Sequence, residues 1–218
     1  MKFTKDETQA EKDQEDAKLV TMLNSAFEKP ELRVTGIYGD ITEEKCSETV
    51  WGLLALQETG RKLIEIQEEE DSDERKFEEI NEPIDFYISS YGGAASEMFA
   101  VYDVMRSIRD DMAIRTHGVG KVMSAGVLLL AAGTKGERRV GKHCRIMIHG
   151  VISGQHGHLH DVENEFEEAK LTQKLYIKAL ASETDMSERH IKKLIDKKTN
   201  VYIDAARAVE LGIADIII

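Results

Sequence analysis

The chain is poor in cysteine, with 2 in 218 residues. Cys46 and Cys144 stand far apart, and neither has a companion at metal-ligand spacing. This excludes a disulfide-stapled scaffold and a zinc finger, and fits a reducing, cytoplasmic compartment. Proline is as scarce, also 2, and aromatic residues make up 6%, so the chain is neither proline-rich nor mucin-like. No apolar run reaches the roughly 18 residues that a membrane-spanning helix needs. The opening stretch MKFTKDETQAEKDQED lacks the apolar segment of a secretory signal. A basic stripe is missing too, so neither nucleic acid nor membrane is expected as a partner.

Apolar residues reach 41%, enough for one core at this length. The net charge of -12 is unevenly spread. Residues 1–16 hold six acids and three bases, and residues 65–82 hold ten acids and two bases. The remainder is nearly neutral. Both acidic stretches read as solvated appendages. One is a leader at 1–30 with a short amphipathic patch (Leu19, Val20, Leu23, Phe27). The other is an insertion at about 61–82, expected to be mobile, in a single domain spanning 31–218.

The rest alternates strand and helix. Strands are expected at about 32–38, 84–88, 112–116, in ERRV, at 145–149, and in the closing IADIII as a buried strand. Helices are expected at about 43–60, 96–108 and 124–132, then from Asp161, after Ser187 and after Asp204. This alternation predicts an α/β fold with a mainly parallel sheet. The segment SAGVLLLAAG predicts a helix buried on every side.

Two local features carry chemistry. Ser89-Ser90-Tyr91-Gly92-Gly93 lies between a strand and a helix, where paired glycines expose backbone N–H groups; most such turns are only turns. Ser124 opens the buried helix. A lone serine there is by default an N-cap, yet it also presents a hydroxyl beside free N–H groups. His149 ends the RIMIH strand. Serine, histidine and glycine turn together can supply nucleophile, base and oxyanion donors.

SSYGG, the MSAG segment, LLLAAGTKGER, RIMIHG and AVELGIAD occur in the order found in the proteolytic subunit of the ATP-dependent Clp protease, which this chain resembles over about 33–60 and 83–218. The resemblance implies a crotonase-like (ClpP) α/β spiral with a protruding helical handle, here at about 150–182. It implies stacked seven-membered rings enclosing a degradation chamber, a Clp-type (Hsp100) AAA+ ATPase partner, polypeptide substrates and no cofactor. It casts Ser124 as nucleophile, His149 as general base, and the N–H groups of Gly93 and Ala125 as oxyanion hole. Two departures stand out. Tyr91 replaces the family's proline, and Asn200 falls on the triad aspartate, with Asp196 as an alternative.

Other residues invite weaker readings. His156, His158 and His160 would share a face if their segment were a strand. A pH-sensitive contact between rings is favoured there over a metal site. His117 and His143 read as surface residues, and Cys144 as a buried, inert thiol. Lys121 raises a Ser-Lys dyad that His149 makes unnecessary. Two functional alternatives stay open: an inactive or weak scaffold subunit of a mixed ring, kept alive by Asn200, and an acyl-CoA enzyme of the crotonase type.

Overall fold

The computed structural model describes residues 32–66, 76–197 and 199–218. The acidic leader 1–30 and the middle of the acidic stretch, 67–75, lie outside the described residues. Everything below belongs to the unit Arg33–Ile218.

Strand β1 (Val34–Ile41) leads into helix α1 (Glu43–Thr59), then β4 (Ile84–Gly93) into α2 (Ala95–Arg109), and β5 (Ile114–Met123) into α3 (Ala125–Ala131). Between α1 and β4 lie β2 (Arg61–Ile66) and β3 (Lys76–Asn81). The C-terminal part holds β6 (Arg139–Val140), β7 (Arg145–Ile148), α4 (Leu159–Glu183), α5 (Glu188–Ile195), β8 (Val201–Ile203), α6 (Ala205–Glu210) and β9 (Ile216–Ile217). The expected α/β class holds. The main sheet runs β1-β4-β5-β6-β9, with β7 beside β5 and β8 beside β7. All pairings in it are parallel except β7 with β8.

Period-two patterning places β4. Ile84, Phe86, Ile88 and Ser90 are buried, while Asp85, Tyr87 and Ser89 on the other face are half-buried. On α2 the buried face is Met98, Val101, Met105 and Ile108, the spacing seen in the sequence. Helix α3 is buried at every position, so it occupies the centre of the core.

A buried ionic cluster ties the end of α4 to this core. The fully buried Glu183 accepts from the Tyr102 hydroxyl at 2.8 Å, from Arg106 at 2.9 Å and from Arg109 at 2.6 Å. Burial pushes its carboxyl up, but the hydrogen bonds from Arg109 and Tyr102 outweigh that and hold it below the ordinary glutamate value. Arg138 donates to the Glu183 carbonyl at 2.7 Å and pairs with Asp215, fastening α4 to β6 and β9.

Several elements differ from expectation. Strand β5 does not stop at Thr116 but runs through Gly118 and Gly120, because the latter takes φ 67° where β5 shifts register against β4. His117 therefore lies on a central strand and is buried, not a surface residue. Its Nε2 is 2.7 Å from Asp85 Oδ1, and its ring stacks on Tyr87 at 4.3 Å. The three-residue β8 was not foreseen. Ile216, Ile217 and Ile218 are 40–55% exposed rather than buried, since among the described residues β9 is an edge strand paired only to the two-residue β6. The flanks of the acidic stretch pair as an antiparallel ribbon, Arg61–Ile66 against Lys76–Asn81.

Residues 151–156 have no regular structure, so His156 and His158 precede α4 while His160 lies in its first turn. All three are exposed, as is His143, whereas Cys144 is buried with its thiol pushed up to about 11. On α4 only Tyr176, Ile177, Leu180 and Glu183 are buried. The preceding turns leave Phe166 57% exposed, with Leu171 and Leu175 also exposed. No helix among the described residues is long and apolar enough to cross a membrane.

Candidate active site

Parallel pairing brings the predicted residues to one end of the sheet. Met123 is in register with Met147 on β7, so Ser124 and His149 leave adjacent strands at the same edge. On the other side of β5, Ser90 is in register with Val122, which carries Gly92 towards Ser124. Asp40 and Ile41 of β1 face Gly92 and Gly93 in turn. The carboxyl ends of parallel strands are where α/β sheets place ligands. Here they border a cavity of about 420 Å³ lined by Gly92, Gly93, Ser124, Ala125, His149 and Tyr176, among others.

Ser124 is not an ordinary helix cap. Its backbone sits at φ 54° and ψ -122°, the one non-glycine residue with positive φ among the described residues. An N-cap has extended backbone and a side-chain oxygen bonded to the first turn. Ser187 and Asp204 do this, accepting from His190 and Arg207. The Ser124 hydroxyl makes no such bond. Strained backbone persists only where the surroundings hold it, and it concentrates at functional sites. Ser124 N–H donates to the Met147 carbonyl at 2.8 Å, and its own carbonyl accepts from Val127 N–H at 3.0 Å and from the Tyr176 hydroxyl at 3.3 Å.

The two glycines have separate reasons. Gly92 takes φ 103°, and a Cβ there would lie 2.6 Å from Ser124 Cβ. A Cβ on Gly93 would lie 2.2 Å from the Ile41 carbonyl oxygen. Only glycine permits both approaches. The Gly92 N–H is engaged by Ser90 Oγ at 2.9 Å. Ala125 is the first residue of α3, so its N–H has no partner within the helix.

His149 also borders a second cavity, of about 430 Å³, shared with Gln173, Asp196, Thr199 and Asn200. The antiparallel β7–β8 ladder pairs Ile146 with Ile203, Met147 with Tyr202 and Ile148 with Val201. Asn200 precedes Val201 and His149 follows Ile148, so the two residues flank the last paired rung of this ladder. Asp196 sits instead at the end of α5. Among the described residues no hydrogen bond joins the imidazole to Ser124, Asn200 or Asp196, an open arrangement common in sites without substrate. Lys121 holds its ammonium 4.5 Å from the ring centroid of Tyr91. Sequence reasoning missed Gln173 and Tyr176, since nothing in a helical repeat distinguishes them from core residues.

The family model for Clp protease matches residues 76–218. The chain is 35% identical over 145 residues to "ATP-dependent Clp protease proteolytic subunit 1" of Prochlorococcus marinus subsp. pastoris, a match covering 65% of this chain and 70% of that protein. It is 33% identical over 141 residues to the protein of the same name from Prochlorococcus marinus strain MIT 9312, with 65% and 70% covered.

Proposed function

This chain belongs to the Clp protease family, and on that premise we propose that it is a serine endopeptidase subunit with Ser124 as nucleophile and His149 as general base. The observation that carries this reading is the strained, uncapped Ser124 on a cavity shared with His149. In the reaction His149 removes the hydroxyl proton as Ser124 Oγ attacks the scissile carbonyl. The N–H groups of Gly93 and Ala125 receive the developing oxyanion. The imidazolium then gives its proton to the leaving amine, and water releases the acyl group by the reverse sequence.

Asn200 is the third member in this reading, supported by its place next to the last β7–β8 rung and on a cavity shared with His149. Its side-chain carbonyl accepts from the imidazole Nδ1–H and orients the ring. It does not supply the charge that an aspartate would, a loss that costs on the order of 10⁴-fold where a triad depends on it. That same residue favours a second reading, in which the subunit is catalytically weak within a mixed ring. The family match favours peptide hydrolysis over the acyl-CoA alternative.

Assembly into stacked heptameric rings, an ATPase partner of the Clp type and unfolded polypeptide substrates form the rest of the proposal. Exposed Phe166, Leu171 and Leu175 on α4 support a face covered by another subunit. The relatives' names support ATP dependence. Light scattering combined with hydrolysis of a fluorogenic peptide tests the reading. It expects a ring-sized particle whose activity disappears in Ser124→Ala. A monomer, or a Ser124→Ala variant as active as the parent, contradicts it.

A further inference from the structure

The inner face of α4 carries Gln173, Tyr176, Ile177, Leu180 and Glu183 at helical spacing, and the first two use their polar atoms on backbone groups, Tyr176 at Ser124 and Gln173 on the segment that follows His149. The Tyr176 hydroxyl donates to the Ser124 carbonyl at 3.3 Å. One turn earlier, Gln173 Oε1 accepts from the Val151 N–H at 3.1 Å, two residues after His149. The same Gln173 oxygen lies 3.0 Å from where a Cβ on Gly150 would sit, so it packs directly on the chain leaving His149. Burial of Tyr176 pushes its phenol up, so the hydroxyl stays a donor at any working pH.

We propose that Gln173 and Tyr176 are positioning residues that fix Ser124 and the His149 segment to one rigid helix and so set the distance across which the proton passes. This rests on the serine-peptidase reading above.

The physical argument starts from Ser124. Its conformation is disfavoured for any residue with a side chain. Two backbone bonds hold it, from its own N–H to β7 and to its carbonyl from Val127. Tyr176 supplies the side-chain restraint on the same carbonyl. The strand carrying His149 ends at Ile148, and residues 149–156 have no ladder to hold them. The Gln173 amide takes the place of a ladder bond at Val151. Since both restraints come from residues three apart on one helix, serine and histidine are referred to a common support. Proximity terms in catalysis are steep, and small displacements are costly.

The test uses the full chain in its assembled form and separates kcat from KM on a fluorogenic peptide, with thermal melting in parallel. Tyr176→Phe keeps the ring and removes only the hydroxyl. It is expected to lower kcat roughly five- to tenfold with KM within about twofold of the parent. Gln173→Leu removes the acceptor and is expected to lower kcat similarly, while Gln173→Glu keeps an acceptor and recovers most of the loss. Variants that melt earlier but retain parental kcat would reduce both residues to structural roles and overturn the inference. So would an equal loss in Gln173→Leu and Gln173→Glu. A parent chain with no hydrolysis dependent on Ser124 sinks the peptidase reading itself, an outcome distinct from parental activity that Tyr176→Phe leaves unchanged.

Discussion

Asn200 and His149 flank the last paired rung of the β7–β8 ladder, Val201 with Ile148, and both residues line one cavity. In the proposed triad, asparagine at this place would offer the imidazole a dipole and no charge. Asn200→Asp is therefore expected to raise kcat, because a carboxylate stabilises the imidazolium formed as Ser124 loses its proton. Asn200→Ala is expected to lower it. Steady-state rates on assembled particles check both. If neither changes and Asp196→Asn reduces the rate, Asp196 holds the position instead.

Ser124→Ala is expected to abolish hydrolysis, by on the order of 10⁴-fold or more, and to leave the particle assembled. Its effect on stability should stay within about 1 kcal/mol, since the hydroxyl makes no cap bond. Denaturant titration beside the activity assay measures both quantities.

Gly92→Ala places a methyl group within 2.6 Å of Ser124 Cβ and at a φ of 103°. Something must shift, and the nearest atom is Ser124 Cβ, followed by the Met123 carbonyl oxygen. Activity is expected to fall on the order of 10²-fold, with roughly 1–3 kcal/mol of stability lost. A variant with full activity would show that the Gly92 contact does not set the position of Ser124.

The Glu183 cluster makes a prediction about acid. A carboxylate held below its ordinary value stabilises the fold above the unfolded pKa, about 4.3, and that contribution is lost as pH falls through the lower folded value. Melting temperature should therefore drop below about pH 4 in the parent, and drop less steeply in Glu183→Gln. At neutral pH, Glu183→Ala removes the carboxylate partner of the largely covered Arg109, which keeps only the Ala132 carbonyl among the described residues, and is expected to cost about 3 kcal/mol.

The β2–β3 ribbon closes on itself. Glu82 N–H donates to the Gly60 carbonyl at 2.9 Å, so the two ends of the excursion are already adjacent. Replacing residues 61–81 by a short glycine-serine turn is expected to leave a folded particle by circular dichroism and sizing. Failure to fold would mean that the ribbon contributes to the core.

What could be read from the sequence follows its strongest periodicities. The buried face of α2, the all-apolar α3 and the alternating β4 each bury what their pattern dictates, and Ser124 and His149 emerged from their places at element ends. The rest depended on contacts distant in sequence. Gly118 and Gly120 look like a loop until the register shift against β4 places them in β5. Three residues, VYI, become a strand only because β7 offers an edge. His117 looked polar enough for the surface, yet Asp85 and Tyr87 on the neighbouring strand receive it. Tyr176 and Gln173 were illegible because their partners are backbone groups, which no side-chain pattern announces.

The proposed mechanism makes Ser124 an activated nucleophile. Intact-mass analysis of the native particle after exposure to a fluorophosphonate, with the adduct mapped by peptide sequencing, tests it most directly. One phosphonyl group per chain is expected, on Ser124, lost in Ser124→Ala and formed more slowly in His149→Ala. An unmodified chain, or modification on another residue, would contradict it.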